Sequence, residues 1–372
     1  MTRCRFDRTA AAAAFLGCVL AFAGCGGGAE KRPAEGAAAT AGLLLNWFPE
    51  AEHGGYFAAE VHGLYADAGL AVDIQPGGVD VPVTPRVANG QVEFGVANAD
   101  QVIFARAAGA RVRALLAPLQ TSPRCIMVHA SAGIDGFDEL NDMTLAISPK
   151  DAFAAYLQQR YPLRNVKIVP YPGSVAPFLN DPRFGQQAYN ISEPFVARRA
   201  GGDPRVLMLA DAGYNPYTSC LIASDELVRD RPELARKMVA ASRRGWEEYL
   251  REPARANARI HELNPEMGPD ILQFGVEEMQ AMTWQDPARR TGIGGMELAR
   301  WQTLVATMEE LGLIPAGAVR PEECFTTEFL ELDGTDGAGS GEDRGAGVDD
   351  GAREDRGAGV DEGARENRGA GA

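Results

Sequence analysis

Trp47, Phe48, His53 and Tyr56 stand close together in the stretch Leu43–Gly69, and their types suit binding rather than bond-making. Ring faces can stack on a flat solute, and an imidazole or the Asn46 amide can hydrogen-bond its edge. No Ser, Thr or Cys falls in this stretch to act as a nucleophile. Trp47 and Phe48 are either a stacking surface or ordinary core aromatics at a strand end. His53 either bonds a ligand or ties down a neighbouring loop. Elsewhere the chain has no hydrolase elbow, no H-E-x-x-H and no P-loop. Its four histidines, His53, His62, His129 and His261, are dispersed, which argues against a metal cluster from one segment.

The elements that must position these groups can be read from periodicity. Leu43-Leu44-Leu45 is a short buried strand, and Pro49 ends it. Apolar residues then recur at helical spacing through Tyr56, Phe57, Ala59, Val61 and Leu64. The aromatic loop thus sits at the carboxyl end of a strand, where open α/β sheets bind ligands. Strands follow at Ala71–Ile74, Glu93–Ala97, Arg111–Leu119, Arg124–His129, Thr144–Ile147, Val166–Val169 and Ser219–Ala223, with helices between many of them. Residues 178–187 read as loop. The alternation predicts mostly parallel sheets covered by helices. Pro232–Arg251, Glu252–Leu263 and Trp301–Leu311 are amphipathic helices.

Both ends lie outside that fold. Arg3, Arg5 and Arg8 precede the apolar run Ala10–Ala23, the pattern of an export signal over residues 1–24. Phe22-Ala23-Gly24-Cys25 looks like a lipoprotein processing box that makes Cys25 the lipidated first residue; an incidental Cys25 behind a plain secretory signal is the alternative. Residues 25–42, rich in Gly and Ala, read as a flexible tether. Residues 333–372 repeat a Gly/Ala/Asp/Glu/Arg unit and carry eleven Asp and Glu against five Arg, hence −6 of the chain's −15. With almost no large apolar residue, this tail cannot offset the entropy of ordering. The remaining body is still acidic, which excludes a nucleic-acid role for want of a basic patch.

The opening residues carry a resemblance. Asn46-Trp47-Phe48-Pro49 with His53, Gly55 and Tyr56, followed by His62-Gly63-Leu64-Tyr65, is similar to the start of solute-binding proteins of ABC importers. The branch it most resembles binds thiamine pyrimidine precursors; riboflavin, nitrate and sulfonate or taurine binders are its cousins. The resemblance runs from about Leu43 to Leu330. It implies a two-domain, type II periplasmic-binding-protein-like α/β fold with a hinge of two crossings. Domain one would comprise residues 43–128 and 218–332, and domain two residues 129–217. It also implies a monomeric receptor in the cell envelope, held to the membrane by lipid, that takes a small aromatic heterocycle and meets an ABC permease. Neither a cofactor nor catalysis is expected.

The same resemblance places further residues along the cleft: Asn98, Ser148, Asn190, Glu193, Tyr214 and Tyr217 beside Asn46, Trp47, His53 and Tyr56. Asn98 either caps the helix starting at Ala99 or touches ligand. Capping is the first reading of Ser148, because Pro149 removes a donor and Asp151 adds negative charge where an anion would sit. Glu193 either accepts bonds from a ring amine or simply starts a helix with a favourable charge. Cys125 and Cys220, which the resemblance puts side by side in domain one, are either bridged or two buried thiols. One enzyme resembles the chain too, the pyridoxal-phosphate-dependent pyrimidine synthase. Its lysine and histidine fall at Ala97 and Gln101 here, and of its cysteine segment only Cys220 is present, so that chemistry is not expected.

Overall fold

The structure is a computed structural model that describes residues 38–285 and 288–330. The export signal, most of the tether and the repeat tail lie outside the described residues. Two five-stranded sheets organise the rest. The first has the order β2-β1-β3-β10-β4, built from β1 (Ala39–Leu44), β2 (Leu70–Gln75), β3 (Phe94–Ala97), β4 (Val112–Leu116) and β10 (Cys220–Ser224). The second has the order β7-β6-β8-β5-β9, from β5 (Arg124–His129), β6 (Thr144–Ala146), β7 (Lys167–Val169), β8 (Phe184–Tyr189) and β9 (Pro204–Met208).

The two sheets repeat one plan. β1 pairs in parallel with β2 and β3, as β6 does with β7 and β8. In the next place each sheet has one antiparallel strand, β10 or β5, and that strand is the first after a crossing. The crossings run from β4 to β5 and from β9 back to β10. They meet where Leu119 bridges Thr218 and where Ser122 N–H donates to Asn215 Oδ1 at 2.8 Å. A double-stranded connection of this kind suits hinge motion between lobes.

The run Leu43-Leu44-Leu45, which closes β1, is apolar throughout because both its faces are covered. Leu43 and Leu45 join the cluster of Tyr56, Phe57 and Trp246, while Leu44 joins Val83, Val87 and Ile222 on the other side. On the first side the helix Gly54–Val61 lies against Pro232–Arg251 through glycines. A Cβ on Gly55 would stand 2.2 Å from the Trp246 indole, and one on Gly245 would stand 2.2 Å from Gly55 O.

Three sequence expectations need correction. β1 begins at Ala39, so residues 39–42 are strand and not tether. Their side chains carry no apolar signal, but their backbone pairs in register from Ala39↔Leu70 to Gly42↔Asp73. β5 belongs to the second sheet, which moves the first domain boundary from residue 128 back to the crossing before Arg124. In consequence Cys125 and Cys220 sit on different sheets, and both are free and buried along with Cys324. Residues 184–189 form the central strand β8, not a loop. Among the described residues no helix is long and apolar enough to cross a membrane.

Candidate functional site

The site is built where the carboxyl end of β1 faces the second lobe across the crossings. After Leu45 the chain turns tightly against Gly77, where a Cβ would come within 2.2 Å of Leu45 O. Trp47 is half-buried there, with Phe48 edge-on at 5.5 Å and 48% exposed. The short helical turn Ala51–His53 carries the next groups inward. His53 Nδ1 accepts from Glu50 N–H at 3.4 Å, so Nε2 holds the proton and donates to Asn46 Oδ1 at 2.8 Å. Burial pushes the His53 imidazole down to about 3, and the ring stays neutral.

Asn46 Nδ2 in turn donates to Glu52 Oε1 at 3.3 Å, and Ser219 Oγ donates to Glu52 Oε2 at 3.3 Å. Glu52 is 1% exposed, and burial lifts its carboxyl to about 7 although Arg124 and two hydrogen bonds pull the other way. Glu50 is raised as well, first by burial, then by the charges of Glu52 and of Glu193 across the cleft. Ser219 sits at a crossing with φ +56°, an uncommon conformation for a residue with a Cβ. Its backbone is tied on both sides: the carbonyl accepts from Tyr56 OH at 2.8 Å and the N–H donates to Asn98 Oδ1 at 3.2 Å.

From the second lobe come Arg124 and Tyr189, directly opposite each other on β5 and β8. Facing cross-strand pairs are close enough for side chains to stack. The Arg124 guanidinium lies 4.5 Å from the Tyr189 ring centroid and 5.0 Å from that of Phe153. Its Nη2 donates to Tyr189 Oη at 3.4 Å, and Asn98 Nδ2 donates to the same oxygen at 3.2 Å, joining the lobes. Glu193 accepts three bonds, from Tyr171 OH (2.9 Å), Tyr189 N–H (2.9 Å) and Ser192 Oγ (2.6 Å). Tyr214 OH donates to Asp100 Oδ2 at 2.8 Å.

The expected residues therefore divide. Asn46 and His53 join one hydrogen-bonded chain with Glu52; Asn98 and Glu193 both bond Tyr189; Trp47 stands in the loop after β1, and Tyr214 is a core residue bonded to Asp100. Asn98 is the helix cap, in a capping box with Gln101, and it also reaches Tyr189. Ser148 donates its N–H to Gln187 at 2.6 Å, and Asn190 reaches Glu278 at 3.1 Å on the facing lobe. Tyr56 and Tyr217 are core residues as well. Tyr56 packs edge-on against Trp246, while Tyr217 lies under Arg300 and accepts from Glu297 N–H. Sequence reasoning missed Arg124, Tyr189, Glu50, Glu52, Phe153 and Tyr171. Of these, Glu50 and Glu52 lie in the Leu43–Gly69 stretch, Arg124 begins an expected strand, and Tyr189 stands next to Asn190, an expected site residue. Among the described residues no group of three His, Cys, Asp or Glu is placed to hold a metal ion.

Residues 50–256 match the model of the NMT1/THI5 like family. The chain belongs to the NMT1/THI5-like family. This NMT1/THI5-like chain is 25% identical over 302 residues to the riboflavin-binding protein RibY of Chloroflexus aurantiacus, a match covering 77% of the chain and 85% of RibY. In fold it resembles the periplasmic aliphatic sulphonate binding protein SsuA of Escherichia coli, with a TM-score of 0.60, 14% identity, and 82% of this chain and 98% of SsuA covered. The architecture is thus the two-lobed periplasmic binding fold. It also resembles the desulfurization enzyme DSZB, with a TM-score of 0.51, 15% identity and coverage of 78% and 97%. Fold alone does not separate receptor from enzyme, so the site must.

Proposed function

We propose that this chain is an extracytoplasmic solute receptor of an ABC importer that closes its two lobes around a small, flat heterocycle. The observation that carries the reading is the cleft itself. In the second lobe Arg124 lies against the rings of Tyr189 and Phe153, and Asn98 of the first lobe bonds the Tyr189 hydroxyl across the crossings, while Trp47 stands half-buried in the loop that follows β1. The places of the pyrimidine synthase's lysine and histidine are held by Ala97, a strand residue, and Gln101, a capping residue, which favours a receptor over that enzyme. Riboflavin ranks ahead of a thiamine pyrimidine precursor as ligand. RibY is a relative over most of the chain, and Glu193, the residue expected to meet a ring amine, has three of its lone pairs engaged within its own lobe.

Calorimetry of the soluble body with riboflavin, a formyl-aminopyrimidine, taurine and nitrate tests this. One of the two heterocycles should bind, and Trp47→Ala should weaken it by about 1–3 kcal/mol, the range for a ring stacked on an aromatic face. Tight binding of taurine or nitrate, undiminished by Trp47→Ala, would overturn the reading.

In the same reading the receptor is a monomer tethered through lipidated Cys25. Mature protein should partition into detergent and carry lipid mass, and Cys25→Ser should release it or block processing. Unchanged fractionation and mass in Cys25→Ser would remove the anchor.

A further inference from the structure

The hydrogen-bonding groups of the cleft are unequally occupied. Its acids already act as acceptors within the protein: Glu193 for three donors, Glu52 for Asn46 and Ser219, Asp100 for Tyr214 and the Gln101 N–H. The donors are another matter. Arg124 carries five N–H groups. Among the described residues the guanidinium's one hydrogen bond is the 3.4 Å contact to Tyr189 Oη, and no carboxylate pairs with it directly. Two ring contacts, Phe153 and Tyr189, account for the rest of its surroundings, so four of its five N–H groups have no hydrogen-bond partner among the described residues. Tyr189 Oη accepts from both Arg124 and Asn98, so its own proton must point away from both.

A planar, half-buried fork of donors calls for two adjacent acceptors in the same plane. Sulfonates and carboxylates offer them, but with a negative charge. The surroundings are already acidic: Glu193 holds the Tyr189 N–H, Asp100 the Tyr214 hydroxyl and Glu52 the Ser219 hydroxyl, and nearby Asp151, Asp100 and Glu193 keep the guanidinium charged against the cost of its burial. A ligand therefore needs to bring acceptors without bringing charge, because an added anion would face those carboxylates with no further cation.

We infer that Arg124 sets the specificity of this site by reading two adjacent acceptors on a neutral, carbonyl-bearing planar ring, the edge a pyrimidinedione-fused flavin presents and an aminopyrimidine does not. The inference rests on the reading of the cleft as the place of a flat heterocycle.

The test titrates riboflavin, lumiflavin, phenazine and a formyl-aminopyrimidine into wild type, Arg124→Lys and Arg124→Gln. Lumiflavin keeps the carbonyl-bearing edge without the sugar chain; phenazine is as flat but has no carbonyl. Wild type should bind both flavins and bind phenazine far more weakly. Either substitution should weaken flavin binding roughly 10- to 100-fold, the usual worth of hydrogen bonds to a charged group, and leave phenazine unchanged. Lysine should not rescue, since it keeps the charge but lacks the fork. Flavin binding unaltered in both variants but weakened by Trp47→Ala would overturn the role of Arg124 and leave the heterocycle reading standing. So would wild type preferring the aminopyrimidine. Binding of none of the probes would overturn both. Should the variants lose cooperative melting, lumiflavin against phenazine on wild type decides: equal binding overturns the inference.

Discussion

Gly55→Ala should destabilise the first lobe by about 3 kcal/mol or more, the upper end of what overpacking usually costs. The added methyl would meet the Trp246 indole at 2.2 Å, and Trp246 is fully buried with Tyr56 and Tyr249 edge-on at 5.8 and 6.1 Å. The ring has nowhere to turn. Gly245→Ala should cost as much, because its methyl meets the Gly55 carbonyl, a backbone atom that moves only if the helix moves. Alanine's better helix propensity returns only about 1 kcal/mol. Urea denaturation reads the loss directly. A loss below about 1 kcal/mol in both variants would mean that these helices separate freely. The consequence reaches the site, since the helix Gly54–Val61 follows directly on the turn that carries Glu52 and His53.

The strands that sequence made visible are those buried on both faces, the end of β1 at Leu43 and Leu44 and the whole of β3, where an unbroken apolar run is the signal. β8 hid because Gln186 and Gln187 interrupt its apolar character. Yet it is central, paired with β5 on one side and β6 on the other, and ladder pairing outweighs side-chain pattern there. The antiparallel start of the second lobe was hidden for a related reason. The Arg124–His129 segment reads as a strand either way, and only its partners, β8 and β9, assign it to a sheet.

The site divides along the same line. Asn46, Trp47 and His53 stood out because they share one short segment with a strand end. Arg124 and Tyr189 are separated by 65 residues, and their stacking exists only through the β5–β8 register. No local pattern can announce such a pair. Tyr56 erred in the other direction: a polar aromatic in the binding motif, it turns its hydroxyl to the Ser219 carbonyl and supports the hinge from below. Glu50 and Glu52 share that segment, but carboxylates in a loop read as solvated, and only the fold shows them buried with raised pKa.

That acidity gives the second large effect. Glu52 titrates near 4.5 in an unfolded chain and near 7 in the fold, with burial the main cause. The folded state therefore binds more protons than the unfolded state between these values, so stability must fall as pH rises across the interval. The contribution is fully present below about pH 4.5 and lost as pH passes through about 7. At roughly 1.36 kcal/mol per unit, the full swing is about 3 kcal/mol. Glu50, raised by the same burial, acts in the same direction. Glu52→Gln keeps the shape without the charge, and the Ser219 hydroxyl can reverse its bond to accept from the amide. The variant should match wild type at pH 5, exceed it by a few kcal/mol at pH 8, and show a flatter profile between. Urea midpoints at pH 5, 6, 7 and 8 measure this. A wild-type stability that rises from pH 5 to 8, or a variant with an equally steep decline, would mean that Glu52 stays ionised in the fold and that the cleft holds a charge its surroundings argue against.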